Sequence, residues 1–111
     1  MISKTPSPPY YAVIFSSIRT EGDNGYSEMA GKMLELASKV DGFLGVESVR
    51  EVLGVTVSFW RDLDAIRKWK ENTEHKIAME KGKGEWYKSF KVRIAKVERD
   101  YGFDADLNLT V

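Results

Sequence analysis

Cysteine is absent from this chain of 111 residues, and histidine occurs only once. The lack of thiols excludes a disulfide framework, a thiolate zinc site and a cysteine nucleophile. A single imidazole excludes a metal centre built from several histidines. The absence of cysteine fits a reducing compartment, and we predict a cytoplasmic protein.

Long apolar runs and an excess of one charge are also lacking. No segment approaches the roughly 20 apolar residues of a membrane-spanning helix, and residues 1–9 contain no apolar stretch typical of a signal peptide. Seventeen basic residues balance seventeen acidic ones. The sequence therefore predicts neither nucleic-acid binding nor attraction to an anionic membrane.

Proline occurs three times, at Pro6, Pro8 and Pro9. Because proline has no N–H to donate, this segment is not expected to enter a helix or a central strand. We predict a mobile lead-in over residues 1–9, one domain over residues 10–103 and a tail over residues 104–111. A chain of this length forms a single core.

Strand and helix patterns alternate along the domain. Strands are indicated by β-branched and aromatic residues with a period of two, and helices by apolar residues at three- and four-residue steps. The predicted elements are a strand at Tyr10–Arg19, a helix at about 26–40, strands at Phe43–Glu51 and Val55–Arg61, helices at about 62–72 and from Thr73, and a strand within Trp86–Tyr101.

Local signals predict where these elements begin and end. Asp23 or Asn24 is expected to cap the first helix, Gly42 to end it, Gly54 to form the hairpin turn, and Thr73 to cap the last helix. The segment KGKGE, residues 81–85, is too rich in glycine to continue that helix. It lacks the spacing of a phosphate-binding loop, and we interpret it as a hinge or lid.

The order β-α-β-β-α-β predicts a ferredoxin-like α+β fold, in which a four-stranded antiparallel sheet carries its helices on one face. The first strand has large apolar side chains on both faces, and the third ends in Trp60. An uncovered face would expose a larger apolar patch than monomers normally show. We predict a homodimer formed through the sheets, with Phe15 and Trp60 as interface residues.

The segment from Val55 to His75 contains the first candidate site, because it runs a strand directly into a helix that carries Trp69 and is followed by the only histidine. A lone histidine is more often a solvated side chain than a catalyst. We nevertheless expect His75 at the mouth of a cleft between helix and sheet. With an unperturbed pKa near 6.5, its neutral form would orient or deprotonate a phenolic ligand.

Aromatic residues are the other pocket candidates, since small-molecule clefts are commonly lined by aromatic walls with a few polar groups. Trp69 shares an apolar stripe with Ala65 and Ile66, which favours a core position. Trp86 and Tyr87 follow the glycine-rich segment and are better candidates for a pocket. The strand serines have no histidine and carboxylate beside them in the sequence, so a nucleophilic triad is not supported.

Three segments, GFLGVES, VTVSFWRDLDAIRKW and EHKIAMEKGKGEWY, carry a family resemblance. Over about residues 10–102 the chain resembles the antibiotic biosynthesis monooxygenase (ABM) family of the dimeric α+β barrel superfamily. The resemblance implies two subunits packed sheet to sheet, each with a cleft between helices and sheet. The family includes cofactor-free oxygenases of aromatic polyketides and haem-degrading enzymes.

The resemblance to the haem-degrading branch is incomplete. That branch has an asparagine on the first strand, a tryptophan on the second helix and a histidine ligand about ten residues later. Trp69 matches the tryptophan, whereas Ser16 stands near the asparagine position and Met79 near the ligand position. We therefore expect no haem, and Ser16 and Met79 remain candidates for lining a pocket.

The cofactor-free branch implies a pocket that stabilises the anion of a phenolic substrate without metal or flavin. His75, Trp69, Trp86 and Tyr87 are residue types suited to that chemistry. The resemblance therefore implies a monooxygenase of a small aromatic or quinone-like molecule. The alternative is a non-catalytic protein that binds or senses a small ligand on the same scaffold, and the sequence does not identify the substrate.

Overall fold

A computed structural model describes residues 1–106 and the backbone of residues 109 and 110. Four strands form one antiparallel sheet, in which the order from edge to edge is the second, third, first and fourth strand of the chain, and three helices accompany it. This arrangement confirms the predicted ferredoxin-like α+β fold. The elements are β1 (Tyr10–Arg19), α1 (Tyr26–Ser38), β2 (Phe43–Arg50), β3 (Leu53–Trp60), α2 (Leu63–Glu71), α3 (Thr73–Glu85), β4 (Tyr87–Val97), β5 (Phe103–Asp104) and β6 (Leu109–Thr110).

The register between strands assigns each side chain to one of two faces, because residues directly opposite each other point to the same side. Tyr11 lies opposite Trp60 and Phe15 lies opposite Thr56 on what we call the helix-covered face. The other side, which we call the open face, is apolar along β1 and β3. Its members there are Tyr10, Ala12, Ile14, Ser16, Ile18, Leu53, Val55, Val57 and Phe59.

The helix-covered face holds the main core. Trp60 is only 1% exposed and packs with Ala37 of α1 and with Ala65 and Ile66 of α2. Tryptophan is the largest side chain, so burying it removes a large apolar surface from water. The core therefore joins α1 and α2 to the end of β3.

This placement corrects the prediction that Trp60 and Phe15 face a partner subunit. Both lie on the helix-covered face, where Phe15 contacts the rings of Tyr87 and Phe90. Strand periodicity separates two faces without saying which one the helices cover. Since α2 begins three residues after Trp60, the chain folds back over that ring.

The caps of α1 and α3 differ from the local prediction, whereas α2 begins as expected. At α2 the Asp62 carboxylate accepts the Ala65 N–H at 2.8 Å and caps the helix. Helix α3 is capped by Asn72 and not by Thr73. At α1 the N-cap position is Gly25, but the predicted Asp23 still accepts a hydrogen bond from the N–H of Ser27. Helix start signals were thus correct to within one or two residues.

Three glycine predictions are wrong. Helix α1 ends at Ser38 with Lys39 as its C-cap, so Gly42 does not end it. Gly54 lies inside β3 and not in the hairpin turn, which falls at residues 51–52. Helix α3 continues through Lys81 and Gly82, and only Lys83 and Gly84 leave helical geometry. A glycine within a regular element commonly permits close approach of another group, and both Gly54 and Gly82 do so, as described below.

The lead-in contacts the sheet, whereas two short strands at the C-terminal end pair with each other. In the lead-in, the Ser3 N–H donates to the Glu47 carboxylate of β2 at 2.9 Å. In the predicted tail, β5 pairs with β6, while residues 107, 108 and 111 lie outside the described residues. Within the part of the chain that the structure describes, none of the helices is long and apolar enough to span a membrane.

Candidate functional site

Three rings form a continuous stack at one end of the helix-covered face. The indoles of Trp60 and Trp69 have centroids 6.4 Å apart and planes inclined by 24°. The imidazole of His75 continues the series, with its centroid 4.4 Å from the Trp69 ring and an interplanar angle of 30°. We call Trp60, Trp69 and His75 the aromatic stack.

The junction between α2 and α3 places His75 in this stack. Asn72 takes an extended conformation, with φ −58° and ψ 127°, so α2 ends there and the chain changes direction. The Asn72 side-chain oxygen then accepts the N–H of His75 at 3.0 Å. Because this cap fixes the first turn of α3, the imidazole is held against Trp69 on α2.

The surroundings of His75 favour the neutral imidazole. Burial lowers the pKa of His75 from its ordinary value of 6.5, and the nearby Lys70 carbonyl opposes that shift. A position in the first turn of a helix also disfavours a positive charge. The expectation of an unperturbed pKa is therefore wrong, and the neutral ring dominates at pH 7 more fully than expected.

One nitrogen of the ring lacks a partner. Nδ1 is sealed from solvent and has no hydrogen bond to any described residue. A buried polar atom without a partner is uncommon and costs free energy. Because Nδ1 is sealed, only Nε2 remains for contact with an external hydroxyl.

Tyr87 lies in a second group of rings on the same face. Its ring is 5.3 Å from Phe15, 5.7 Å from Tyr26 and 5.9 Å from Phe90, in edge-to-face contacts. We call these four residues the tyrosine cluster. Gly82 backs the cluster, since a Cβ there would come within 3.2 Å of the Tyr87 ring.

Two arginine side chains lie near the tyrosine cluster. Burial is the main cause that raises the pKa of Tyr87, and the neighbouring Tyr26 hydroxyl adds to it. The charges of Arg50 and Arg19 act in the opposite direction by favouring a phenolate. The Tyr87 hydroxyl therefore remains protonated at neutral pH.

Trp86 lies in a third place, the groove between α1 and α3. It is 3% exposed, and its indole N–H donates to the Asn24 carbonyl at 2.8 Å. The groove has a volume of about 400 Å³ and is also lined by Met29 and Ile77. Trp86 thus combines a structural hydrogen bond with a position in the wall of a surface groove.

The remaining two pocket candidates are separated from the aromatic stack. Ser16 lies on the open face, between Val55 of β3 and Lys91 of β4, on the opposite side of the sheet from His75. Met79 is a half-buried residue of α3. Of the predicted pocket residues, the structure places only Trp69 in ring contact with His75.

The helices leave part of their own face of the sheet uncovered. Val92 and Ile94 of β4 point to the same side as Phe15 and Val13, yet they are 43% and 52% exposed. The edge of β4 therefore presents an exposed apolar strip on the helix-covered face. The described residues contain no group of three or more histidine, cysteine or carboxylate side chains that could hold a metal ion.

Sequence reasoning missed Tyr26 and Arg50. Tyr26 is the first residue of α1, and its contact with Tyr87 joins residues 61 positions apart. Arg50 could have been found through Gly54, because a glycine inside a strand often marks the close approach of another group.

Comparison with known proteins shows the class to which this fold belongs. The antibiotic biosynthesis monooxygenase (ABM) family matches residues 9–81, about two thirds of the chain. The chain therefore belongs to the ABM family, and the resemblance seen in the sequence is confirmed.

One close relative and two solved structures illustrate the family. "Uncharacterized protein YqjZ" of Bacillus subtilis (strain 168) is 55% identical over 109 residues, which cover 96% of each chain. Protein SO0527 from Shewanella oneidensis has a similar fold, with a TM-score of 0.70 and 13% identity over 86% of this chain and 97% of that one. SnoaB of Streptomyces nogalater, described as a cofactor-independent oxygenase, has a TM-score of 0.69 and 12% identity over 84% of this chain and 97% of its own.

Proposed function

We propose that this protein is a cofactor-independent monooxygenase of a small aromatic or quinone-like molecule, with His75 as the residue that accepts the substrate proton. The observation that carries the proposal is the neutral His75 imidazole held against the Trp69 ring. SnoaB, whose fold is similar, is described as an oxygenase of this kind.

The chemistry needs a base and a site that tolerates an electron-rich anion. Nε2 of His75 takes a proton from an acidic O–H or C–H of the substrate, and the resulting anion is oxidised by O₂ directly. When a ring CH₂ becomes C=O, one oxygen atom enters the substrate and the other leaves as water. The substrate supplies all four electrons, so the balance requires no external reductant.

Each member of the aromatic stack has a separate part in this proposal. His75 must be neutral to accept a proton, and burial provides that state at pH 7. Trp69 positions the imidazole through ring contact and Trp60 anchors Trp69 in the core. We therefore assign Trp69 and Trp60 as positioning residues, which raise the rate by fixing geometry and not by chemistry.

The open face supports a homodimer. Val55, Val57 and Phe59 are only half-buried in the single chain, and Leu53 is 54% exposed. Covering this apolar surface with the same surface of a second copy would give a two-fold, sheet-to-sheet interface. We propose this assembly with Val57 and Ile14 as interface residues in place of Phe15 and Trp60.

Oxygen consumption tests the proposed reaction. The purified protein is mixed with anthrones and hydroquinones in buffer containing a metal chelator, and products are identified by mass spectrometry. We expect oxygen uptake with at least one substrate class, and a fall of at least tenfold in His75→Ala. Lys76→Ala, an exposed neighbour on the same turn, is the matched control and should be unaffected.

Thermal shift with the same compounds separates catalysis from binding alone. Ligands that raise the melting temperature but never consume oxygen would show that the protein only binds small molecules, and would refute the proposed monooxygenase. Equal oxygen uptake by the wild type and His75→Ala would refute the role of His75.

A further inference from the structure

A guanidinium group crosses the sheet at the end of the helix-covered face away from the aromatic stack. Arg50, the last residue of β2, donates from Nη1 to the Ser17 carbonyl at 3.3 Å and from Nη2 to the Ser17 hydroxyl. Ser17 belongs to β1, so the side chain spans the whole width of β3. Ser17 itself is 2% exposed, which fixes this end of the guanidinium.

Gly54 makes the crossing possible. It lies between Arg50 and Ser17 in the sheet, and a Cβ at this position would lie 2.1 Å from Cζ of Arg50. Any other residue at position 54 would displace the guanidinium. The glycine therefore serves the placement of Arg50 and not the hairpin turn.

Among residues 1–106 the guanidinium of Arg50 has no carboxylate partner, and that of Arg19 interacts only with the more distant charge of Asp23. Arg61 and Arg67 each pair with two carboxylates. By contrast, no carboxylate of residues 1–106 lies within ion-pair distance of Arg50 or of Arg19. Arg19 lies over the Tyr26 ring, with Cζ 3.5 Å from the centroid, and its Nε donates to the Trp86 carbonyl.

The surroundings of the two cations match a particular kind of anion. Arg19 and Ser17 are two residues apart on β1, so the two guanidinium groups flank the same stretch of strand. The phenols of Tyr26 and Tyr87 lie beside them, and the ring of Phe15 completes an aromatic wall. Guanidinium groups bind carboxylates through paired hydrogen bonds, and phenol rings stack against other rings.

We propose that Arg50, Arg19, Tyr26 and Tyr87 form a binding site for a small aromatic carboxylate. The guanidinium of Arg50 pairs with the carboxylate, and the tyrosine cluster contacts the ligand ring. Ser17 and Gly54 are positioning residues for Arg50. The site is distinct from the aromatic stack, because Ser17 is six residues along β1 from Tyr11, the residue opposite Trp60, or about 20 Å.

Calorimetric titration with benzoate tests the site, with benzyl alcohol as a neutral probe of the same ring. We expect benzoate to bind the wild type and benzyl alcohol to bind at least tenfold more weakly. Arg50→Gln should weaken benzoate binding at least tenfold, while Arg99→Gln, which removes the same charge from an exposed residue, should change it less than twofold.

Gly54→Ala provides a second and independent variant. The added methyl group should displace the Arg50 side chain, so benzoate binding should weaken as in Arg50→Gln although the arginine is still present. Circular dichroism establishes that each variant is folded, and Arg50→Lys replaces Arg50→Gln if the latter does not fold. Binding by the lysine variant should still be weaker than the wild type, because lysine lacks the paired donors.

The proposal is overturned if benzoate binds the wild type with a dissociation constant above 10 mM. Such a constant corresponds to less than about 3 kcal/mol of binding free energy. The proposal is also overturned if folded Arg50→Gln or Gly54→Ala binds benzoate within twofold of the wild type. Because the readout is binding and involves no oxygen, failure here is independent of failure of the proposed oxygenase.

Discussion

The imidazole of His75 lies against the indole of Trp69, with the two ring centroids 4.4 Å apart. This contact links the first turn of α3 to the last full turn of α2, and it lowers the exposure of the imidazole. The same contact therefore sets both the position and the protonation state of the only histidine in the chain.

His75→Ala should separate catalysis from stability. We expect turnover of an anthrone-type substrate to fall tenfold to a thousandfold, since the base is lost. Loss of the ring contact with Trp69 should lower the free energy of unfolding by only about 0.5–1.5 kcal/mol. Urea denaturation measures the stability of the variant, and the rate assay measures its turnover. A large loss of stability with an unchanged rate per folded molecule would show that His75 is a purely structural residue.

The lowered pKa of His75 makes stability depend on pH in a defined direction. The unfolded histidine binds a proton near pH 6.5, whereas the folded one does so at lower pH, so the unfolded state is favoured by acid. The contribution of His75 to the free energy of unfolding is fully present above about pH 6.5. It is lost as the pH falls through the pKa of His75 in the folded protein.

Urea denaturation between pH 7.5 and pH 5 measures this effect. The free energy of unfolding should fall with pH over that range in the wild type and fall less in His75→Gln. The carboxylates with lowered pKa values, such as Asp23 and Asp62, act in a different window below pH 4. Identical slopes in the two proteins would contradict the assigned burial of the ring.

Charge on the open face should separate the proposed dimer into monomers. Val57→Asp places a carboxylate among Ile14, Val55 and Phe59, where an apolar partner surface is proposed, and a buried unpaired charge is costly. Sedimentation velocity at micromolar concentration should show a dimer for the wild type and a monomer for the variant. Val52→Asp, in the exposed hairpin turn, is the control and should remain dimeric.

A monomeric wild type would refute the sheet-to-sheet assembly. If the dimer forms, its melting temperature should rise with protein concentration, whereas that of Val57→Asp should not. A monomeric Val52→Asp would place the interface at the hairpin.

Gly42 and Gly25 offer a matched test of backbone strain against steric overlap. Both have positive φ, 101° and 83°, so alanine is strained at either position by about 1–2 kcal/mol. At Gly42 the new Cβ would also lie 2.7 Å from Cβ of Ala65 in the core, whereas at Gly25 nothing lies within 4 Å. Gly42→Ala should therefore lower the free energy of unfolding clearly more than Gly25→Ala, as measured by urea denaturation, and equal losses would contradict the close packing of α2 on this turn.

Much of the fold could be predicted because the signals are local. The alternation along Tyr10–Arg19 and the caps near Asp23 and Asp62 depend on residues only a few positions apart. The candidate site was predicted less fully. Trp69 and His75 are six residues apart, so the sequence analysis placed them in one candidate site. By contrast, the contact between Arg50 and Ser17 joins residues 33 positions apart.

The order of strands and helices, the family and the presence of two apolar sheet faces could be predicted from the sequence, because each depends on short-range periodicity or on matched residues. The positions of Trp60 and Phe15 under the helices and of Val57 on the open face depend on the packing of the folded chain. A period of two states that neighbours point opposite ways, but the side that the helices cover is fixed by how the chain turns after β3. The same holds for Arg50, whose neighbours are set by the pairing of three strands and not by its own segment.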